Sequence, residues 1–191
     1  MMGSKTNYLY LRHNKILDIF VQLTLFMGGT FKISPEMFLQ VYTLHVRVME
    51  TMIPVCISLL PYKNIATYTR LFTLIKAACL RCGLQFEPAN FFVDFEMAVI
   101  TTITQVFPNS RIRGCLFHFA QALWRQVQEN GLVVSYRDDQ QINKLVRRAM
   151  ALPLVPLEEA EDVWMSALEE ANHDELQQMA FCGYVTTTWV N

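Results

Sequence analysis

A few residues in this 191-residue chain are of types and spacings that do chemistry. Asp94 ends the short apolar run Phe91-Phe92-Val93, and an aspartate delivered by a strand tip is where α/β sheets commonly place chemistry. Its side chain suits two roles, a helix N-cap or an oxygen ligand for a hard divalent cation. Some twenty residues later Cys115-x-x-His118 follows a second short apolar segment. Cys79-x-x-Cys82 supplies another pair, and the four together would have the ligand types of a Cys₃His zinc site. Against that, Cys79 and Cys82 fall on the last turn of an apolar helical pattern, where cysteines at this spacing are core residues. Glu96 follows Asp94 and is expected to open a helix, where an acid favours the positive end of the dipole. Arg111 and Arg113 alternate along a strand, Arg125 lies on the next helix, and Lys144, Arg147 and Arg148 share another. Such groups contact phosphates, or form a solvated face.

The elements that must position these residues follow from periodicity. Ile19–Phe26, Phe38–Val46 and Ile53–Leu60 read as three strands, broken by Gly28-Gly29 and ended by Pro61. Thr30-Phe31-Lys32 is expected to continue the edge after the glycines, and the second strand to lie antiparallel to the first. Between Ile65 and Cys82 apolar residues recur at helical steps (Tyr68, Leu71, Phe72, Ile75, Cys79), and Gly83 stops them. A strand at Asn90–Val93, a helix from Met97 to Val106, a strand at Arg111–Cys115 and a helix closed by Gly131 come next. Helices are expected over Asp139–Ala151, Leu157–Glu170 and Asp174–Phe181, and a β-like end over Tyr184–Asn191. The order is β-β-β-α-β-α-β-α, that of a ribonuclease H-like α/β fold: a mixed five-stranded sheet with flanking helices, plus an appended C-terminal helical segment. The expected division is a poorly packed leader over residues 1–18, a core over 19–135 and a helical, truncated insertion segment over 136–191.

Composition bounds the function. Hydrophobic residues make up 52% and charged residues 17%, which suits a well-buried core and excludes disorder. No apolar run reaches the roughly 18 residues that span a bilayer, so no membrane association is expected. Residues 1–15 mix polar, aromatic and basic types and do not make a signal peptide. Five cysteines, an odd number, argue for a reducing compartment, and the expected localisation is nucleus or cytoplasm, not secreted. A net charge of −1 excludes a polycation, so DNA contact would need a local patch.

Several blocks carry a resemblance: GGTFKISPEMFLQVYTLHV, LLPYKNIATYTRLF, VDFEMAVITTITQVFPNSRIRGCLFHFAQALWRQVQENGL, then Tyr136 and MALPLVPLEEAEDVW. In this order they resemble the transposase domain of Mutator-like elements (MULE), from about Leu25 to the C-terminus. The most specific part is DFE, FP, then GC-x-FHF-x-Q-A. That resemblance implies a ribonuclease H-like transposase of the kind that cuts and joins DNA with two divalent ions, Mg²⁺ or Mn²⁺, held by three carboxylates. It implies DNA as partner, self-association into a multimer, and no small-molecule cofactor.

The same resemblance exposes a departure. The family's first acid belongs to a DGTFK motif, and here the motif reads Gly28-Gly29-Thr30-Phe31-Lys32, with Gly28 in the aspartate's place. Asp94 matches the second acid and is the one inherited metal-ligand position. The third, a glutamate, is expected past a segment like YVTTTW and so beyond Asn191. Cys115 and His118 match a pair that related transposases share and are expected to brace the active-site floor, while Lys32, Arg111, Arg113 and Arg125 form the expected DNA-binding set. Asp18 and Glu36 do not obviously replace the missing acid: Asp18 is ten residues before Gly28, roughly 33 Å along an extended strand. The expected function is therefore a MULE transposase-like protein, truncated and catalytically degenerate. The alternative is a non-enzymatic, host-retained protein of transposase origin that binds DNA or a protein.

Overall fold

The computed structural model describes residues 8–11, 24–171 and 176–190. The chain divides into two compact units, residues 1–115 and 116–191.

The first unit is built on a six-stranded sheet in the order β1-β4-β3-β2-β5-β6. Its strands are β1 (Tyr8–Leu11), β2 (Thr24–Thr30), β3 (Gln40–Val48), β4 (Thr51–Leu60), β5 (Asn90–Val93) and β6 (Arg111–Gly114). β2, β3 and β4 form an antiparallel meander, while β5 runs parallel to β2 and β6 parallel to β5. All five expected strands are present in a mixed α/β sheet with flanking helices, and β1 adds a sixth at the edge. Of the expected leader only residues 8–11 are described, as this strand, and residues 1–7 and 12–18 lie outside the described residues. Tyr8-Leu9-Tyr10-Leu11 pairs antiparallel with Cys56–Leu59 and covers a strand edge that would otherwise lie open. Of the expected first strand, Thr24–Phe26 lies in β2, and residues 19–23 lie outside the described residues.

β2 also corrects the expected break at Gly28-Gly29. The strand runs through both glycines, which pair with Thr43 and Tyr42. Gly29 packs closely on Gln40, and a Cβ there would force the side-chain amide of Gln40 to shift. At Gly28 a Cβ would meet nothing within 4 Å.

Two helices cover one face of this sheet. α1 (Ile65–Arg81) starts where Asn64 accepts a hydrogen bond from the Thr67 N–H at 2.9 Å. It ends at Cys82 and Gly83, whose φ of +76° turns the chain so that the Leu84 N–H reaches the Cys79 carbonyl at 3.0 Å. α2 (Met97–Val106) follows β5. Leu25, Met27, Tyr42, Leu44, Val46, Phe91 and Val93 from the strands bury against Leu71, Phe72 and Ile75 of α1, and Val99 and Ile103 of α2. Phe107 closes this core, with its ring edge-on to Phe72 at 5.2 Å and to Phe86 at 5.6 Å.

The second unit is helical: α3 (Leu116–Glu129), α4 (Val133–Asp138), α5 (Gln140–Ala151), α6 (Ala160–Glu170) and α7 (Leu176–Val185). Phe119, Leu123 and Val127 of α3 pack with Ile142, Leu145 and Val146 of α5, with Trp164 of α6 and with Phe181 of α7. The expected boundary at 135/136 falls inside α4. α3 ends as the sequence indicates, with Gly131 at a φ of +71° and the Leu132 N–H bonded to the Val127 carbonyl at 2.8 Å.

The β-like reading of Tyr184–Asn191 is overturned over residues 184–190, and Asn191 lies outside the described residues. Tyr184 and Val185 end α7, and Thr186–Val190 forms a π-helical turn. Thr186 and Thr187 donate their hydroxyls to the carbonyls of Cys182 and Gly183 at 2.9 and 2.8 Å, and the Trp164 indole donates to the Thr186 hydroxyl at 2.8 Å. These tertiary contacts outweigh the β-preference of three successive threonines.

Candidate functional site

The parallel pairing of β2 and β5 fixes the geometry of the site. Phe26 is the register partner of Phe92, and their rings stack at 4.8 Å. Gly28 follows Phe26 by two residues within β2, and Asp94 follows Phe92 by two and is the first residue beyond β5. This is the C-terminal end of both strands. Asp94 does not cap the following helix, because the N-cap of α2 is Glu96. The structure thus removes one of the two roles open to Asp94 from sequence.

Glu96 sits at the helix start as expected, but its carboxylate makes no cap hydrogen bond. It reaches across to α1 instead. The Tyr68 hydroxyl donates to Glu96 Oε1 at 2.8 Å, and Lys63 Nζ lies 2.9 Å from Glu96 Oε2. Gln40 Nε2 in turn donates to the Tyr68 hydroxyl at 2.8 Å. The Lys63 ammonium also stands over the Phe31 ring, 4.8 Å from its centre, which ties the network to the segment just after β2. Burial, and then the carboxylates of Glu96 and Asp94 among its neighbours, push the Tyr68 phenol well above the ordinary tyrosine range. Tyr42 is pushed up as well, first by burial and then by Tyr68, Asp94 and Glu96. Both phenols stay protonated at any physiological pH.

Sequence reasoning missed Gln40, Lys63 and Tyr68. Gln40 carried a signal: it is in phase with Tyr42, Leu44 and Val46, so a polar residue occupies a core position of the strand. Tyr68 was visible only as part of the apolar stripe of α1.

The remaining expected site residues are dispersed. Cys115 extends the β5–β6 pairing through its N–H to the Val93 carbonyl at 2.9 Å. His118 is half-buried on α3, in the second unit, with its ring edge against Phe117 at 5.5 Å. Arg111 and Arg113 are exposed on β6, and the Arg113 guanidinium lies 5.9 Å from the centre of the Phe92 ring. Lys32 is exposed in the loop after β2. Arg125 is exposed on α3 and donates to Gln121 at 3.1 Å. On α5, Lys144 and Arg148 both bridge to Glu170 at 2.7 and 3.0 Å, which lowers the Glu170 carboxyl through those two hydrogen bonds. Arg147 is exposed on the same helix.

A model of the MULE transposase domain matches residues 24–122, just over half of the chain. The chain belongs to the MULE transposase family. The match spans β2 to the middle of α3, so Gly28, Asp94, Cys115 and His118 all lie within it. No curated protein was found that matches the chain. For this MULE domain a transposase-related function follows, and the mixed α/β sheet is consistent with a transposase-like fold.

A two-metal centre of the transposase type needs several carboxylates converging from separate elements. The residues of this MULE domain do not fit one. Gly28 has no side chain to ligate with, and both oxygens of Glu96 are engaged by Tyr68 and Lys63. Among the described residues no group of three or more histidines, cysteines, aspartates or glutamates is placed to hold a metal ion. The same finding argues against the Cys₃His zinc reading. Cys79 is wholly buried in the core, and Cys82 is exposed at the end of α1. No described helix is long and apolar enough to cross a membrane.

Proposed function

We propose that this chain is a MULE transposase domain of ribonuclease H-like architecture that no longer cuts DNA. The single observation behind the reading is the pair Gly28 and Asp94. Gly28 lies in β2 two residues after Phe26, and Asp94 follows the end of the adjacent parallel strand β5 two residues after Phe92. The family resemblance implies acids at these two positions, and one of them is glycine. The ancestral activity used Mg²⁺ or Mn²⁺ to activate the attacking oxygen and stabilise the leaving one. With Asp94 as the one inherited ligand, the present chain lacks the donors for that chemistry.

DNA remains its natural partner under this reading. Arg111 and Arg113 on the exposed edge strand β6, with Lys32, supply phosphate contacts from the first unit that position a duplex and do not read its sequence, and Arg125 supplies one from the second unit. Cys115 and His118 are retained from the ancestral site, and self-association is retained with it. The working compartment is the nucleus or the cytoplasm.

The test is nicking of supercoiled plasmid by the full chain in Mn²⁺. The reading predicts no nicking by the native chain. Mn²⁺-dependent nicking that disappears in Asp94→Ala would show that the chain is an active enzyme and that another residue replaces Gly28.

A further inference from the structure

We propose that Lys63, Glu96 and Tyr68 form a metal-independent lock on the turn that carries Asp94, with Glu96 as a positioning residue and Lys63 as its built-in counter-ion. This inference rests on the reading of the site given above and assigns a role that the carboxylate count alone does not reveal.

Glu96 is two residues beyond Asp94, and its side chain is only 14% exposed. A carboxylate that buried needs its charge compensated and its lone pairs occupied. Here both needs are met from outside its own element. Tyr68 comes from the first turns of α1, and Lys63 comes from the segment between β4 and α1. Tyr68 is itself held by Gln40 of β3. Lys63 covers the Phe31 ring, next to the end of β2. The turn after β5 is thus tied to β3, to α1 and to the exit of β2 through one carboxylate.

A cation at this place in a metal-binding site would be a divalent ion held by carboxylate oxygens. In this chain the positive charge belongs to the protein. Lys63 approaches Glu96 at 2.9 Å and Tyr68 donates to the other oxygen, so each carboxylate oxygen already has a partner within the protein. The turn keeps its shape whether or not a divalent ion is present.

The test uses the full chain. Thermal unfolding is followed by circular dichroism for the native protein and for Lys63→Met, Lys63→Arg, Glu96→Gln and the Lys63→Met/Glu96→Gln double variant, each in EDTA and in MnCl₂. The expected result is a native Tm that is the same in both buffers. Lys63→Met falls by about 2–4 °C, as loss of one part-buried ion pair does in a chain of this size. Lys63→Arg recovers most of that loss, and the double variant is no less stable than the worse single one, because the two residues act as a pair.

Strictly additive losses in the double variant, or failure of Lys63→Arg to recover stability, would overturn the lock. So would a native Tm raised by Mn²⁺ and returned to its EDTA value by Glu96→Gln, since Glu96 would then be a ligand. A Mn²⁺ effect that survives Glu96→Gln and vanishes in Asp94→Ala counts against the loss of the ancestral site and leaves the lock standing. The two readings therefore fail on different variants.

Discussion

Gly28 lies two residues after Phe26 in β2, and Asp94 lies two residues after Phe92, just beyond the end of the parallel neighbour β5. A Cβ built on Gly28 meets no heavy atom within 4 Å. Nothing in the fold therefore enforces glycine there. Gly28→Ala is expected to fold, with stability within about 1 kcal/mol of the native chain, as for other substitutions that do not clash. Urea unfolding of the two proteins measures this. A loss of several kcal/mol would mean that glycine is structurally required and that the site was remodelled around it.

The neighbouring glycine behaves in the opposite way. Any side chain at Gly29 would strike the Gln40 amide, which is itself wholly buried and bonded to Tyr68. Gly29→Ala is expected to destabilise the first unit by about 1–3 kcal/mol through overpacking. Equal stabilities of Gly28→Ala and Gly29→Ala in the same denaturation series would show that the difference between the two glycines has no energetic consequence.

Tyr68→Phe removes one oxygen that both accepts from Gln40 and donates to Glu96. The ring still fills the core, so the cost is that of the stranded polar partners, about 1–3 kcal/mol. Denaturant titration of Tyr68→Phe reads this cost. A neutral result would mean that water takes over both hydrogen bonds and that the network is not closed.

His45, on β3 opposite Phe26, has its pKa lowered from the usual 6.5, first by burial and against the opposing effect of a hydrogen bond to the Phe26 backbone. Its neutral form is thus favoured in the folded state. The unfolded chain takes up a proton as pH falls past about 6.5, before the folded protein does. The His45 contribution is fully present above that pH and is lost as pH falls toward the folded value. In Tm profiles from pH 7.5 to 5, the native protein is expected to lose stability faster below 6.5 than His45→Gln. Parallel profiles, or a native protein that loses stability more slowly than His45→Gln below pH 6.5, would contradict the assignment.

Much of this was legible in the sequence, for identifiable reasons. Asn90–Val93 and Met97–Val106 are bounded as read because a short apolar run and a helical period are separated by polar residues. β1 was missed because a four-residue edge strand has too few alternations to stand out beside its polar surroundings. The continuity of β2 through Gly28-Gly29 was hidden because glycine is a local break signal, and only the close packing of Gln40 explains it. Thr186–Val190 misled because β-branched residues favour strands until their hydroxyls find carbonyls one helical turn back. Asp94 was singled out from its place at a strand tip. Lys63 and Tyr68 were not, because a bond spanning 28 residues between Tyr68 and Glu96 leaves no local pattern.

The central claim is that glycine at position 28 leaves this MULE domain without its metal centre. Calorimetric titration of Mn²⁺ into the native chain, Gly28→Asp and Gly28→Asp/Asp94→Asn tests it most directly. The account predicts no Asp94-dependent binding to the native chain, binding by Gly28→Asp, and loss of that binding in the double variant. Mn²⁺ binding by the native chain that Asp94→Asn abolishes would contradict it.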